Sequence, residues 1–153
     1  MIKEFNIVFY KGNSFIGKLI RKVTKGNYSH CALALDSFHL VQLDWKNPVS
    51  IHHLDYKSNE YDVYHLTFTL TNEEKEQIKE YIIERLSTTY DWKYIISRFF
   101  NVLFGTKIYN SKSLYNFDEL IIEAFRSIGV NLLNGDEKVS PETLSKSKLL
   151  KKI

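Results

Sequence analysis

Asn27-Tyr28-Ser29-His30-Cys31-Ala32-Leu33-Ala34-Leu35-Asp36 is the stretch on which the reading of this chain turns. A short apolar run bounded by turn signals, Gly26-Asn27 before it and Asp36-Ser37 after it, reads as a buried strand. His30 heads that run. A titratable ring in such a place is either a core histidine satisfied by a carbonyl or a group with a chemical task. An unpaired buried polar group costs about 1–3 kcal/mol, so one of the two must hold.

Working outward, Phe5–Tyr10 reads as a strand ended by Lys11-Gly12-Asn13. Ser14 can cap a following helix with Phe15, Ile16, Leu19, Ile20 and Val23 on one face and Lys18, Arg21 and Lys22 on the other. Beyond the histidine strand, Phe38–Asp44 alternates as the next strand of a meander, and Trp45-Lys46-Asn47-Pro48 turns the chain. Val49–Leu54 and Glu60–Thr69 are further strands, separated by Asp55–Asn59 of loop composition. Thr71-Asn72-Glu73-Glu74 is a capping-box signature for a helix reaching to about Thr88, with Ile78, Tyr81, Ile82 and Leu86 as its buried stripe. Trp92–Phe104 is helical and apolar on nearly every side, which predicts an element sandwiched within the fold or covering a cleft.

A second capping box, Asn116 with Glu119, opens a helix that stops at Gly129. Phe117, Leu120, Ile121, Ala124, Phe125 and Ile128 line one of its faces. Ser140-Pro141-Glu142-Thr143-Leu144 starts a last short helix by the rule of a serine cap followed by proline.

The totals limit the function classes. A chain of 153 residues can bury one proper core, and with 44% hydrophobic and 25% charged residues it has the composition of a soluble globular protein. Ten Tyr and ten Phe argue against disorder. The net charge of +3 is a mild bias, and no run of basic residues interleaved with aromatics points to nucleic acid. A single cysteine, Cys31, excludes an internal disulfide and a cysteine-based zinc cluster. The first residues lack the apolar stretch of a signal peptide, and no run approaches the roughly 18–20 apolar residues of a membrane span. His52-His53 and His65 read as strand or surface histidines, since adjacent strand residues point to opposite faces and no His-x-x-x-His spacing brings two rings together.

The order of these pieces resembles the circularly permuted NlpC-type papain-like hydrolases, the branch that includes the lecithin–retinol acyltransferase type. The matching stretches are Asn6–Gly12 with Ser14–Lys22, Tyr28-Ser29-His30, His39–Asp44, Tyr90-Asp91-Trp92, Asp118-Glu119-Leu120-Ile121 with Gly129-Val130, and Ser140–Leu150. They span nearly the whole chain in family order. The resemblance implies one domain over residues 1–153 and an α+β fold, an antiparallel sheet of about five strands packed against helices. It implies His30 as the general base and a polar residue on the next strand as its orienter. Gln42 is the nearest match, with Asp44 and His39 as the alternatives that a small shift of the alignment would select.

In the family the nucleophile is a cysteine opening the helix after the loop, where the helix N-terminus and an imidazolium lower the thiol's pKa. Here Phe117 holds that place, facing the His30 strand, and phenylalanine has no lone pair to offer. Cys31, next to His30 on the same strand, should point to the other face as a small buried hydrophobe. Asp118 is a conceivable carboxylate nucleophile of unusual chemistry, and Ser29 reads as a strand-edge hydroxyl. The resemblance therefore implies a catalytically degenerate domain that keeps a groove for binding or a structural role, in a bacterial envelope or a bacteriophage particle. The alternative is an active amidase, peptidase or acyltransferase with a non-standard nucleophile. Peptide, peptidoglycan, a lipid-like molecule or other proteins of an assembly are the implied partners. No cofactor, metal or nucleic acid is implied, and the compartment stays open, with the cytoplasm and a virion assembly as the alternatives.

Overall fold

The computed structural model describes residues 2–12, 17–18, 21–22, 25–44, 47–54, 59–85, 117–133, 135 and 139–153, with the backbone alone at residues 43, 44, 47–49 and 117. Over these residues the fold is α+β. Six strands form one antiparallel sheet: β1 (Ile7–Tyr10), β2 (His30–Ala34), β3 (His39–Asp44), β4 (Asn47–His53), β5 (Tyr61–Leu66) and β6 (Leu150–Lys152). Their spatial order is β4-β3-β2-β1-β5-β6. Three helices accompany them among the described residues: α1 (Asn72–Ile83), α2 (Phe117–Arg126) and α3 (Pro141–Ser145).

Alternation along the central strands divides the core in two. Ile7 and Phe9 pair with Leu33 and Cys31 across β1 and β2, and these side chains join Val41 on one face. Ile78 and Ile82 of α1 and Leu120, Ile121, Ala124 and Phe125 of α2 pack on the same face, buried to 2% exposure or less. Val8, Tyr10, Ala32, Ala34 and Leu40 form a second buried cluster on the opposite face. Burying a large apolar side chain contributes about 1.5–3 kcal/mol, so these two clusters supply most of what holds the sheet.

Two helix starts follow local chemistry. Thr71 caps α1: its Oγ1 accepts from the Glu74 amide at 3.2 Å while Glu74 returns a carboxylate to the Thr71 amide at 2.8 Å. Ser140 caps α3 in the same reciprocal way with Thr143, and Pro141 follows it. The Val130 amide reaches back to the Phe125 carbonyl at 3.0 Å and closes the end of α2.

Three details depart from the sequence reading. Asn47 and Pro48 belong to β4, not to the turn, because Asp44 pairs directly with Asn47. Proline is tolerated there since β4 is an edge strand and need not donate on its outer side. The sheet also has a sixth strand, β6, paired along β5 from Tyr64↔Lys152 to Leu66↔Leu150. α1 ends at Ile83, with Glu84 as its C-cap, short of the expected Thr88. The Trp92–Phe104 helix, the Ser14 and Asn116 caps and Tyr90-Asp91-Trp92 lie outside the described residues.

Candidate functional site

β2 begins at His30, after a turn that is held from a distant part of the chain. Glu142, in the first turn of α3, is buried, and its Oε2 accepts the Asn27 amide at 2.7 Å. Gly26 lies so close that a Cβ there would sit 2.6 Å from the same carboxylate oxygen. On the other side, the Ser29 amide donates to the Tyr10 carbonyl at 2.9 Å. His30 is thus delivered at a fixed place beside the end of β1.

The ring of His30 stacks on Tyr10, with centroids 5.6 Å apart and 18° between planes. Its Nε2 lies 3.3 Å from Gln42 Oε1 on β3. With that oxygen as acceptor, Nε2 carries the ring proton and Nδ1 is the basic nitrogen. The bond is long for N–H···O, so it orients the ring more than it stabilises it. Gln42 itself is buried at 5% exposure. The structure therefore brings together His30 and Gln42, the two residues singled out as base and orienter positions.

The other candidates fall elsewhere. His39 turns its Nδ1 to Asp36 Oδ2 at 2.7 Å and packs its ring against His53, away from His30. The amides of Phe38 and His39 and the His39 ring all donate to Asp36, and they hold its carboxyl at about 2. At Asp44 and Phe117 only the backbone is described, so their side-chain contacts, including that of Phe117 with His30, lie outside the described residues. The backbone places Phe117 in α2, as the first of the described residues there.

Cys31 points to the helical face. Its Sγ donates to Asp118 Oδ1 at 3.0 Å, with both groups buried. Burial, and then the neighbouring Asp118 charge and hydrogen bond, push the thiol well above its ordinary pKa. It stays protonated at neutral pH and is no nucleophile. This contact also sets the start of α2 against β2, one residue from His30 in sequence but on the opposite face from the Tyr10 and Gln42 contacts of its ring.

A polar cluster that the sequence reading missed lies on the helical face of β5. Asp62 Oδ2 accepts from Tyr28 Oη at 2.8 Å and pairs with Lys152 Nζ at 2.9 Å, while Oδ1 takes Lys11 Nζ at 3.0 Å. Tyr64 Oη, 3.0 Å from Tyr28 Oη, donates in turn to Tyr28. Burial by itself would raise the Asp62 carboxyl, but the hydrogen bonds from Lys152, Tyr28 and Lys11 outweigh it and hold the group at about 2. The Tyr28 hydroxyl is pushed strongly upward, by burial first and then by its bonds to Tyr64 and Asp62, and stays protonated. The partners come from Lys11, Tyr28, Asp62 and Lys152, too far apart in sequence for any spacing to reveal them.

Among the described residues no group of three histidine, cysteine or carboxylate side chains could hold a metal ion, and no helix is long and apolar enough to cross a membrane. No family model matches the chain, and no curated protein does. Among solved structures, the chain is similar to the metalloprotein YiiX of Escherichia coli O157:H7, described as DUF1105. The match has a TM-score of 0.74 at 15% identity and covers 99% of this chain and 96% of that one. The two share a fold over nearly their full lengths. At that identity the likeness speaks for the fold alone.

Proposed function

We propose that this chain is a catalytically degenerate papain-like domain of the NlpC type. It keeps a groove at the head of β2 for a peptide, peptidoglycan or lipid-like ligand, in a bacterial envelope or a bacteriophage particle. The observation that carries this reading is the pairing of His30 with Gln42 at 3.3 Å in a chain whose α2 carries Phe117. A base position with its orienter is kept, while the place that the resemblance gives to the nucleophile holds a side chain with no nucleophilic atom. The one thiol is buried beside a carboxylate, the reverse of the electropositive, accessible setting that activates cysteine.

A thiol-reactive acyl probe tests the reading. Expected is no adduct on Cys31 in the folded protein and ready labelling after unfolding in urea. An adduct in the folded state that disappears in Cys31→Ala would reveal a working thiol and overturn the degenerate reading. Calorimetric titration with peptidoglycan stem peptides supplies the binding arm, with His30→Ala and Gln42→Ala each expected to weaken any binding observed. Binding that both variants leave unchanged would remove the groove from the proposal.

A further inference from the structure

The face that carries His30 on β2 and Gln42 on β3 continues onto one more strand, β4. β3 pairs with β4 so that Gln42 is opposite Ser50 and Leu40 opposite His52. Directly opposed residues of neighbouring strands share a face, as do residues two apart on one strand. Ser50 and His52 therefore stand on the same side of the sheet as Gln42 and the buried Leu40. Their side chains meet: Ser50 Oγ lies 2.7 Å from His52 Nε2, and both residues are only partly buried, so a reagent can reach them.

We propose that Ser50 and His52 form a nucleophile–base pair able to accept an acyl group from a carboxylic ester. A serine hydroxyl is a weak nucleophile until a base within about 2.6–3.2 Å takes its proton, and His52 Nε2 meets that distance. With Nδ1 protonated, Nε2 presents its lone pair to the hydroxyl. Ser50 Oγ attacks the ester carbonyl carbon as its proton passes to His52 Nε2. The tetrahedral adduct then collapses, the bond to the alcohol oxygen breaks, and the leaving alkoxide takes that proton from His52. Ser50 is left as an O-acyl ester, and water can later hydrolyse it by the same proton path. Gln42, opposite Ser50 on the neighbouring strand, keeps amide N–H groups that its contact with His30 does not use, and in this proposal they are the donors to the developing oxyanion. Ser50 and His52 themselves are separate from His30 and Phe117, and only Gln42 is common to the two sites.

The test uses an alkyl fluorophosphonate, which transfers phosphorus to an activated serine with loss of fluoride, followed by peptide mapping by mass spectrometry. Expected is a single adduct on Ser50, formed at least 10-fold faster than on Ser127, a helix-end serine whose Oγ donates to the Ala124 carbonyl. His52→Gln keeps an acceptor but no base and should slow labelling by about 10²–10⁴-fold, the usual contribution of a general base. Ser50→Ala should abolish the adduct. Thermal melting of both variants confirms that they are folded. Absence of an adduct in the unaltered protein, an adduct on another serine, or a Ser50 rate that His52→Gln leaves unchanged would each overturn the proposal.

Discussion

Replacing Gly26 by alanine should destabilise the protein, and less so once Glu142 is shortened to alanine as well. Added to the present backbone, a methyl at Gly26 would stand 2.6–2.7 Å from Oε2, Cβ and Cγ of Glu142, closer than real carbon contacts allow. The carboxylate cannot simply swing aside, because Oε2 holds the Asn27 amide at 2.7 Å. Overpacking of this kind costs about 1–3 kcal/mol. Glu142→Ala alone removes a hydrogen bond to a charged group, about 1.5–3 kcal/mol. Its pair with Lys146, whose side chain is 65% exposed, adds at most about 1 kcal/mol. In the double variant the contacts with Oε2 and Cγ are gone, while the 2.7 Å contact with the Cβ that alanine keeps at residue 142 persists, so the relief is partial. Alanine's smaller unfolded-state entropy then contributes about 0.4–1 kcal/mol in favour of folding. The two changes should therefore be non-additive by about 1 kcal/mol, the low end of the overpacking range, read from urea unfolding midpoints at constant slope. Additivity within about 0.5 kcal/mol would show that Glu142 does not pin this turn, and with it the argument for how His30 is delivered would fail.

Two further perturbations test other contacts. Asp62 is held at about 2, below the roughly 3.9 of an unfolded aspartate, so its contribution is full above about pH 4 and is lost as pH falls toward 2. Asp62→Asn should flatten the acid limb of a stability–pH curve over that window, and an unchanged limb would contradict the network. Phe117→Cys should give a thiol whose alkylation midpoint lies below the roughly 8.5 of free cysteine, from the α2 N-terminus and His30 together. Adding His30→Ala should raise it again. A midpoint that stays low without His30 would leave only the helix effect and sink the papain-like juxtaposition.

What could be read from the residues was whatever is written locally. The His30 strand announced itself as an apolar run between turn signals and Phe38–Asp44 by alternation, Thr71 by its capping box, and Ser140 by a serine cap followed by proline. Gln42 was legible because a meander of two short strands sets parity across one turn. β6 was not, since Leu150-Lys151-Lys152 has no alternation of its own and is a strand only because β5 pairs with it. The Asp62 cluster and the Glu142 tie join residues from opposite ends of the chain, and nothing short-range encodes them. Ser50 and His52 were within reach: two polar residues at a spacing of two share a strand face. The doublet His52-His53 suggests a metal first, and that suggestion hides the serine beside it.

The arrangement of strands carries a consequence for synthesis. β1 to β5 form a contiguous sheet from the first part of the chain, yet one apolar face of it is covered by α2, whose residues are translated later. At about 5–20 residues per second, the stretch between Leu66 and Phe117 keeps the ribosome occupied for roughly 3–10 s. During that interval Phe9, Cys31 and Leu33 lack their partners Leu120, Ile121 and Phe125. A nascent chain in this state exposes apolar surface of the kind that favours aggregation, and slow codons between residues 67 and 116 would lengthen that exposure.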